Sequence, residues 1–325
     1  MTADKLTNLA KEQHGVAAQQ SSARRSGGPV KRFGPFGRFV LVTVGLVLCF
    51  SGPLYHLVRV AANSQLYSHI LLIPFISMYL VWLKRQRLPR HSEPVRRLAA
   101  LPLVAGAVVL VGYWFAVRSA STLAKEDSLA LTTFSFLLFF IGVCCLFLGK
   151  ETLRAIAFPI GFLVFMVPFP AFLRDWIDVF LQHTSAAAAY AMFKLSGTPV
   201  FRQELGFHLP GFSMEVGPEC SGIHSSLVLF ITSLLAGHLF LRTPWKRAVL
   251  ALAVIPLAIL RNGFRIFTIG QLCVHIGPEM IHSNIHRRGG PLFFVLSLVP
   301  FFLLLIVLWR SDRVREKTNP KQLGV

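Results

Sequence analysis

Acidic residues are scarce in this chain: 14 Asp and Glu stand against 33 Lys and Arg, and only 14% of 325 residues are charged while 54% are hydrophobic. A soluble globule of this size needs far more polar surface, so the composition excludes one and points to a polytopic membrane protein. Cysteine is also sparse. Its five positions, Cys49, Cys144, Cys145, Cys220 and Cys273, are odd in number and unpaired in spacing, which excludes a disulfide framework. Cys49, Cys144 and Cys145 lie inside apolar runs and are expected to be packed, inert thiols. No apolar stretch of signal-peptide type precedes residue 39, so residues 1–38, rich in Gln, Ser, Ala, Gly and basic side chains, are expected to be a disordered basic cytoplasmic tail. No internal repeat of the kind transporters carry is present, which weakens that class. The net charge of +19 is spread in short basic clusters between apolar runs rather than on one domain, which excludes a nucleic-acid-binding protein and fits membrane topology.

What is there is a series of eight apolar runs, at about 39–60, 66–83, 98–117, 128–149, 153–170, 222–241, 247–263 and 291–309. Most approach the ~20 residues a spanning helix requires, so the expected fold is all-α with about eight transmembrane helices between residues 39 and 309. With both termini cytoplasmic, the inside segments, including a basic tail at 310–325, hold 23 of the 33 Lys and Arg, in agreement with the positive-inside rule. The segment 172–197 starts amphipathically with Arg174, Asp175, Trp176 and Asp178 and turns Ala-rich. An interfacial or re-entrant helix keeps the later basic loops inside, and Pro168 and Pro170 mark the break before it. Between 197 and 217 the period shifts to alternation around Pro210-Gly211, which predicts a small extracytoplasmic hairpin leading into the sixth helix.

Chemistry concentrates around Pro218-Glu219-Cys220-Ser221-Gly222-Ile223-His224, where a polar, turn-rich stretch becomes an apolar run. A thiol in the first turn of a helix feels the positive end of the backbone dipole, which favours the nucleophilic thiolate, so Cys220 is the candidate nucleophile. On the expected topology Arg261 and Arg265 end the seventh helix, and His282 and His286 precede the eighth, all on the outer face with Cys220. Ionisable groups at a membrane edge are costly and are functional candidates by default. Cys can attack a carbonyl, His can carry the proton, and Arg can stabilise an oxyanion. The plainer readings are that Arg261 and Arg265 snorkel to headgroups, that His224, His238 and Cys273 pack, and that His69 is a structural cap. The glycines at 289 and 290 would let backbone approach a ligand closely. A metal site is the competing enzyme reading: Glu279, His282 and His286 place His-x3-His on one helical face, although no Glu base stands between the two His.

Pro218-Glu219-Cys220-Ser221-Gly222-Ile223, Asn262-Gly263-Phe264-Arg265-Ile266 and His286-Arg287-Arg288-Gly289-Gly290, in this order on multi-spanning helices, resemble the exosortase/archaeosortase family. Tyr67-Ser68-His69-Ile70-Leu71 and Val167-Pro168-Phe169-Pro170 are similar to its early helices. Carried over residue by residue, the resemblance implies a catalytic set of Cys220, Arg265 and His286, the His indicating the exosortase branch. Glu219, Ser221, Arg261, Asn262 and Gly290 are then expected to bind substrate or position the site. The implied protein is a cysteine protease/transpeptidase without cofactor or metal, in the bacterial inner membrane, with its site facing the extracytoplasmic side. Its implied partners are exported proteins with a C-terminal Pro-Glu-Pro type signal, transmembrane helix and basic cluster, and a lipid or glycan acceptor, besides the membrane lipids. Two readings from other classes stand beside it: the zinc intramembrane protease above, and a non-enzymatic polysaccharide or lipid export component.

Overall fold

The computed structural model describes residues 34–87, 96–119, 124–217, 221–282 and 290–318. Eleven α-helices and one small sheet follow in order: α1 Pro35–Cys49, α2 Ser51–Asn63, α3 Ile73–Lys84, α4 Arg96–Arg118, α5 Lys125–Phe147, α6 Lys150–Ala155, α7 Ala157–Phe162, α8 Ala171–Leu195, strands β1 Phe201–Gln203, β2 Gly206–Leu209 and β3 Phe212–Glu215, then α9 Ile223–Phe240, α10 Pro244–His275 and α11 Gly290–Thr318. Short 3-10 turns at Ser68–Leu71, Leu163–Met166 and Pro278–His282 join them. The chain is an all-α multi-pass membrane protein with one small sheet among the described residues.

Among the described residues five helices are long and apolar enough to cross a bilayer: Arg97–Arg118, Lys125–Phe147, Ile223–Phe240, Pro244–His275 and Gly290–Arg313. Two bent pairs, Phe36–Cys49 with Ser51–Asn63 at 70° and Ala157–Met166 with Ala171–Leu195 at 87°, raise the number to seven if each is one span. The apolar helix Ser68–Lys84 falls short by length, so length and composition support five to seven spans rather than the expected eight. The run at 153–170 is not one helix because it carries Pro168 and Pro170 after a 3-10 turn, and a proline ring and its preceding residue both resist helical continuation. Trp-Arg stacks mark helix ends at Trp82/Arg85, Trp114/Arg118 and Trp309/Arg313, with guanidinium-to-ring distances of 4.6, 4.0 and 3.9 Å. Such pairs suit the headgroup level, where an aromatic ring and a cation share one boundary.

The Ala-rich stretch that reads as weakly apolar is a packing surface. A Cβ at Gly263 of α10 would lie 2.8 Å from Ala188 Cβ and 3.1 Å from Ser185 O, and one at Gly270 would lie 2.5 Å from Phe193 Cζ. Helices α8 and α10 therefore meet through small residues, the means by which helices in lipid approach closely. For this reason Gly263 does not end α10, which runs on to His275, so Arg261 and Arg265 sit within the helix and not at its end as expected. On the other flank, α8 is held at its start by Arg174, which pairs with Glu126 of α5, and by Asp127, whose Oδ1 accepts the Ala171 N–H at 2.7 Å.

The expected hairpin is a three-stranded antiparallel sheet in the order β1-β2-β3. The run 200–205 turns at Glu204, whose φ of 51° is left-handed, and Leu205 thereby passes from strand to turn. Pro210-Gly211 makes the second turn, with Gly211 at φ 74°. Phe207 and Leu209 of this sheet, with Val216 just after it, bury against Ala186, Ala189 and Phe193 of α8 and Ile266 of α10. The sheet thus packs against both α8 and α10.

At the opposite end, Lys246 of α10 and Asp312 of α11 form a buried ion pair at 2.8 Å. Asp312 also accepts the Arg242 N–H at 3.0 Å and the Thr243 hydroxyl at 2.9 Å. The basic segments 242–247 and 310–313 therefore meet. Cys144, Cys145 and Cys273 are buried, whereas Cys49, the last residue of α1 before the 70° bend, is exposed rather than packed.

Candidate active site

Helix α9 begins at Ile223 because Gly222 takes the left-handed conformation, φ 71° and ψ 18°, which an L side chain adopts only at a cost. Cys220 therefore stands two residues before the N-cap rather than in the first helical turn. The dipole argument weakens accordingly, since that effect is confined to the first turn. Pro218, Glu219 and Cys220 themselves lie outside the described residues.

The backbone that follows Cys220 is gripped from α10. Arg261 Nη2 donates to Gly222 O at 3.2 Å and to Ser226 Oγ at 3.3 Å, and Asn262 Nδ2 donates to Ser221 O at 3.1 Å. The hydroxyls of Ser225 and Ser226 also donate to Gly222 O, at 3.1 and 2.8 Å. Ser221, Arg261 and Asn262 are buried, with 2%, 8% and 2% of their surfaces exposed. A Cβ on Gly222 would lie 2.8 Å from Arg261 Nη2 and 3.1 Å from Asn262 Oδ1, so glycine is required here both for its φ and for the close approach. At Gly290, half-buried at the start of α11, a Cβ meets nothing within 4 Å, so the close-approach glycine is Gly222.

Two buried cations on α10 serve different ends. Lys246 faces a carboxylate, whereas Arg261 Nη2 donates to a carbonyl and a hydroxyl, and its Nη1 meets no acceptor among the described residues. A guanidinium that snorkelled to lipid would be exposed; Arg261 is turned inward instead. A buried cation on neutral partners is costly, and the compensation it can offer is to negative charge that forms beside it. Arg265, one turn on, is half-buried on the same helix.

Imidazoles reach the same region from two elements. His224 Nε2 lies 3.5 Å from Ser68 Oγ, a long contact, and His69 Nδ1 meets Leu66 O at 3.0 Å, the local capping expected of it. The Ser68–His224 approach was not legible in the sequence, because the two residues stand 156 positions apart. His286 lies outside the described residues, as does the side chain of His282, while Glu279 is exposed on the 3-10 turn Pro278–His282. Among the described residues no three His, Cys, Asp or Glu come together as metal ligands.

A bundle broken at paired prolines, with Ser221 and Gly222 before a helix clamped by Arg and Asn of a long neighbouring helix, defines a class of membrane-embedded proteins with a built polar site. The family model described as transmembrane exosortase matches residues 58–303, most of the chain, and the protein belongs to the transmembrane exosortase family. No curated protein and no solved structure matches the chain.

Proposed function

We propose that the protein is a cysteine transpeptidase of the bacterial inner membrane, acting from the extracytoplasmic side on exported proteins with a C-terminal sorting signal of Pro-Glu-Pro type followed by a transmembrane helix and a basic cluster. His286 takes the Cys220 thiol proton, and the sulfur attacks the scissile carbonyl. Arg265 stabilises the resulting oxyanion, and collapse breaks the C–N bond as His286 returns the proton to the leaving amine. The thioester that remains is resolved by an acceptor hydroxyl or amine of a lipid or glycan, or by water. The residues 39–309 form the working domain in this reading, flanked by basic cytoplasmic tails.

The observation that supports it most is the hold of Arg261 and Asn262 on Ser221–Gly222. These two buried donors fix the backbone directly after Cys220, and fixing a nucleophile's approach is worth several kcal/mol, on the order of 7 in favourable cases. Intact-mass analysis of a tail-tagged candidate substrate, co-expressed with wild type or Cys220→Ala, tests it. Cleavage with an added acceptor mass in the wild type, and full-length substrate with Cys220→Ala, is the expected result; processing that survives Cys220→Ala overturns it.

A further inference from the structure

A cavity of about 110 Å³ opens beside the first turns of α9, walled by His69, Val164, Phe165, Val167, Phe169 and Leu227. It exists because the chain leaves the 3-10 turn Leu163–Met166 in extended form, with Val167 at φ −79° and ψ 121°, and Pro168 and Pro170 keep it from coiling back. Five walls are apolar and none is charged. The sixth is an imidazole whose tautomer is fixed by its surroundings: a carbonyl oxygen can only accept, so Nδ1 carries the hydrogen shared with Leu66 O at 3.0 Å, and Nε2 keeps its lone pair. The cavity therefore offers apolar volume beside an imidazole that keeps one acceptor nitrogen. It lies beside the clamped residues: Ser68 Oγ approaches His224 Nε2 at 3.5 Å, and Leu227 directly follows Ser226, whose Oγ accepts from Arg261 Nη2 at 3.3 Å.

We propose that this cavity is the specificity subsite of the proposed transpeptidase: it takes one aliphatic side chain, of valine to leucine size, next to the scissile bond, while the peptide N–H of that residue donates to His69 Nε2. An apolar cavity of roughly 150 Å³ holds a benzene-sized guest, so this smaller one suits a branched aliphatic group and is tight for an aromatic ring. A charged side chain would be buried there without a partner, and a lipid acyl chain would leave the imidazole nitrogen without a donor. The inference rests on Cys220 being the nucleophile.

The test uses the purified full-length protein with N-acetyl-Xaa chloromethyl ketones, Xaa being Gly, Val, Leu or Phe, and with iodoacetamide, which has no side chain to place. In each case the sulfur of Cys220 displaces the halide, forming a C–S bond, and mass spectrometry reads labelling at that residue. Val and Leu probes are expected to label about ten-fold faster than the Gly probe, and the Phe probe more slowly than either. Val167→Phe, which fills the cavity, brings the Val and Leu rates down to the Gly rate. N-methylation of the Leu probe slows labelling of wild type but not of His69→Leu. Equal rates for Gly, Val and Leu, or a preference that survives Val167→Phe, overturn the subsite while iodoacetamide labelling leaves the nucleophile standing. Failure of iodoacetamide to label Cys220 overturns the nucleophile and the subsite together.

Discussion

Replacing Gly222 with alanine perturbs the site through two separable effects, and a second glycine isolates one of them. Gly222 and Gly211 share the left-handed conformation, φ 71° and 74°, but a Cβ on Gly211 meets nothing within 4 Å whereas one on Gly222 presses on Arg261 Nη2 and Asn262 Oδ1. Gly211→Ala should cost the backbone strain alone, about 1–2 kcal/mol. Gly222→Ala adds the displacement of a charge-assisted hydrogen bond, about 1.5–3 kcal/mol, and of a neutral one, about 0.5–1.5 kcal/mol. At about 2 °C per kcal/mol for a large chain, the expected loss of Tm is about 2–4 °C for Gly211→Ala and about 6–13 °C for Gly222→Ala. Buried Cys144, Cys145 and Cys273 supply the thermal assay in a Cys49→Ala/Cys220→Ala background, because a fluorogenic maleimide reaches them only on unfolding. Processing of a tail-tagged substrate, normalised to protein level, should survive Gly211→Ala and fail in Gly222→Ala. Two variants with the same Tm and the same processing would refute the reasoning, because the grip on the Ser221–Gly222 turn would then matter to neither stability nor function.

At the buried pair, Asp312→Ala leaves Lys246 charged and without its carboxylate, and should cost about 3–5 kcal/mol, while the Lys246→Met/Asp312→Leu double variant recovers most of it in the same thermal assay. Gly270→Ala forces a Cβ to within 2.5 Å of Phe193 Cζ and should destabilise by about 1–3 kcal/mol, a loss that Phe193→Leu suppresses by making room. Arg261→Lys keeps the charge but loses the planar fork that reaches Gly222 O and Ser226 Oγ together, and Asn262→Leu releases Ser221 O; each should lower processing about ten-fold or more with little loss of protein in the membrane, and wild-type processing by both would remove the grip from the mechanism.

Much of this fold is legible in the sequence because lipid imposes a single rule, that a spanning segment be long, apolar and helical, and Leu, Phe and Val runs obey it visibly. The breaks at Pro168 and Pro170 and the turn at Pro210-Gly211 are legible for the same reason, being written in residues whose backbone limits are local. The extent of α10 was not. Gly263 reads as a helix end in isolation and becomes a packing contact only when Ser185 and Ala188 of α8 are brought against it, and no pattern within α10 carries that information. Likewise the Glu204 turn is hidden, since its left-handed φ belongs to a residue that usually avoids it, held there by the pairing of β1 with β2.

The same division runs through the candidate site. Motif order singled out the neighbourhood of Cys220 and the Arg261–Arg265 stretch, because chemistry demands particular side chains and these are read directly. What each side chain does depends on direction, which spacing alone leaves open. Arg261 and Arg265 are one turn apart and equivalent in the sequence, yet Arg261 turns inward to hold Gly222 while the carried-over catalytic role falls to its neighbour. Lys246 and Arg261, both buried on one helix, look alike until their partners are seen: a carboxylate for the first, neutral oxygens for the second. A cation that a fold needs only for itself is most cheaply held by a fixed anion, as Lys246 is. One held on carbonyl and hydroxyl oxygens keeps its field available to charge that appears during a reaction, and that difference supports the proposal that chemistry takes place at the α10 end bearing Arg261 rather than the one bearing Lys246.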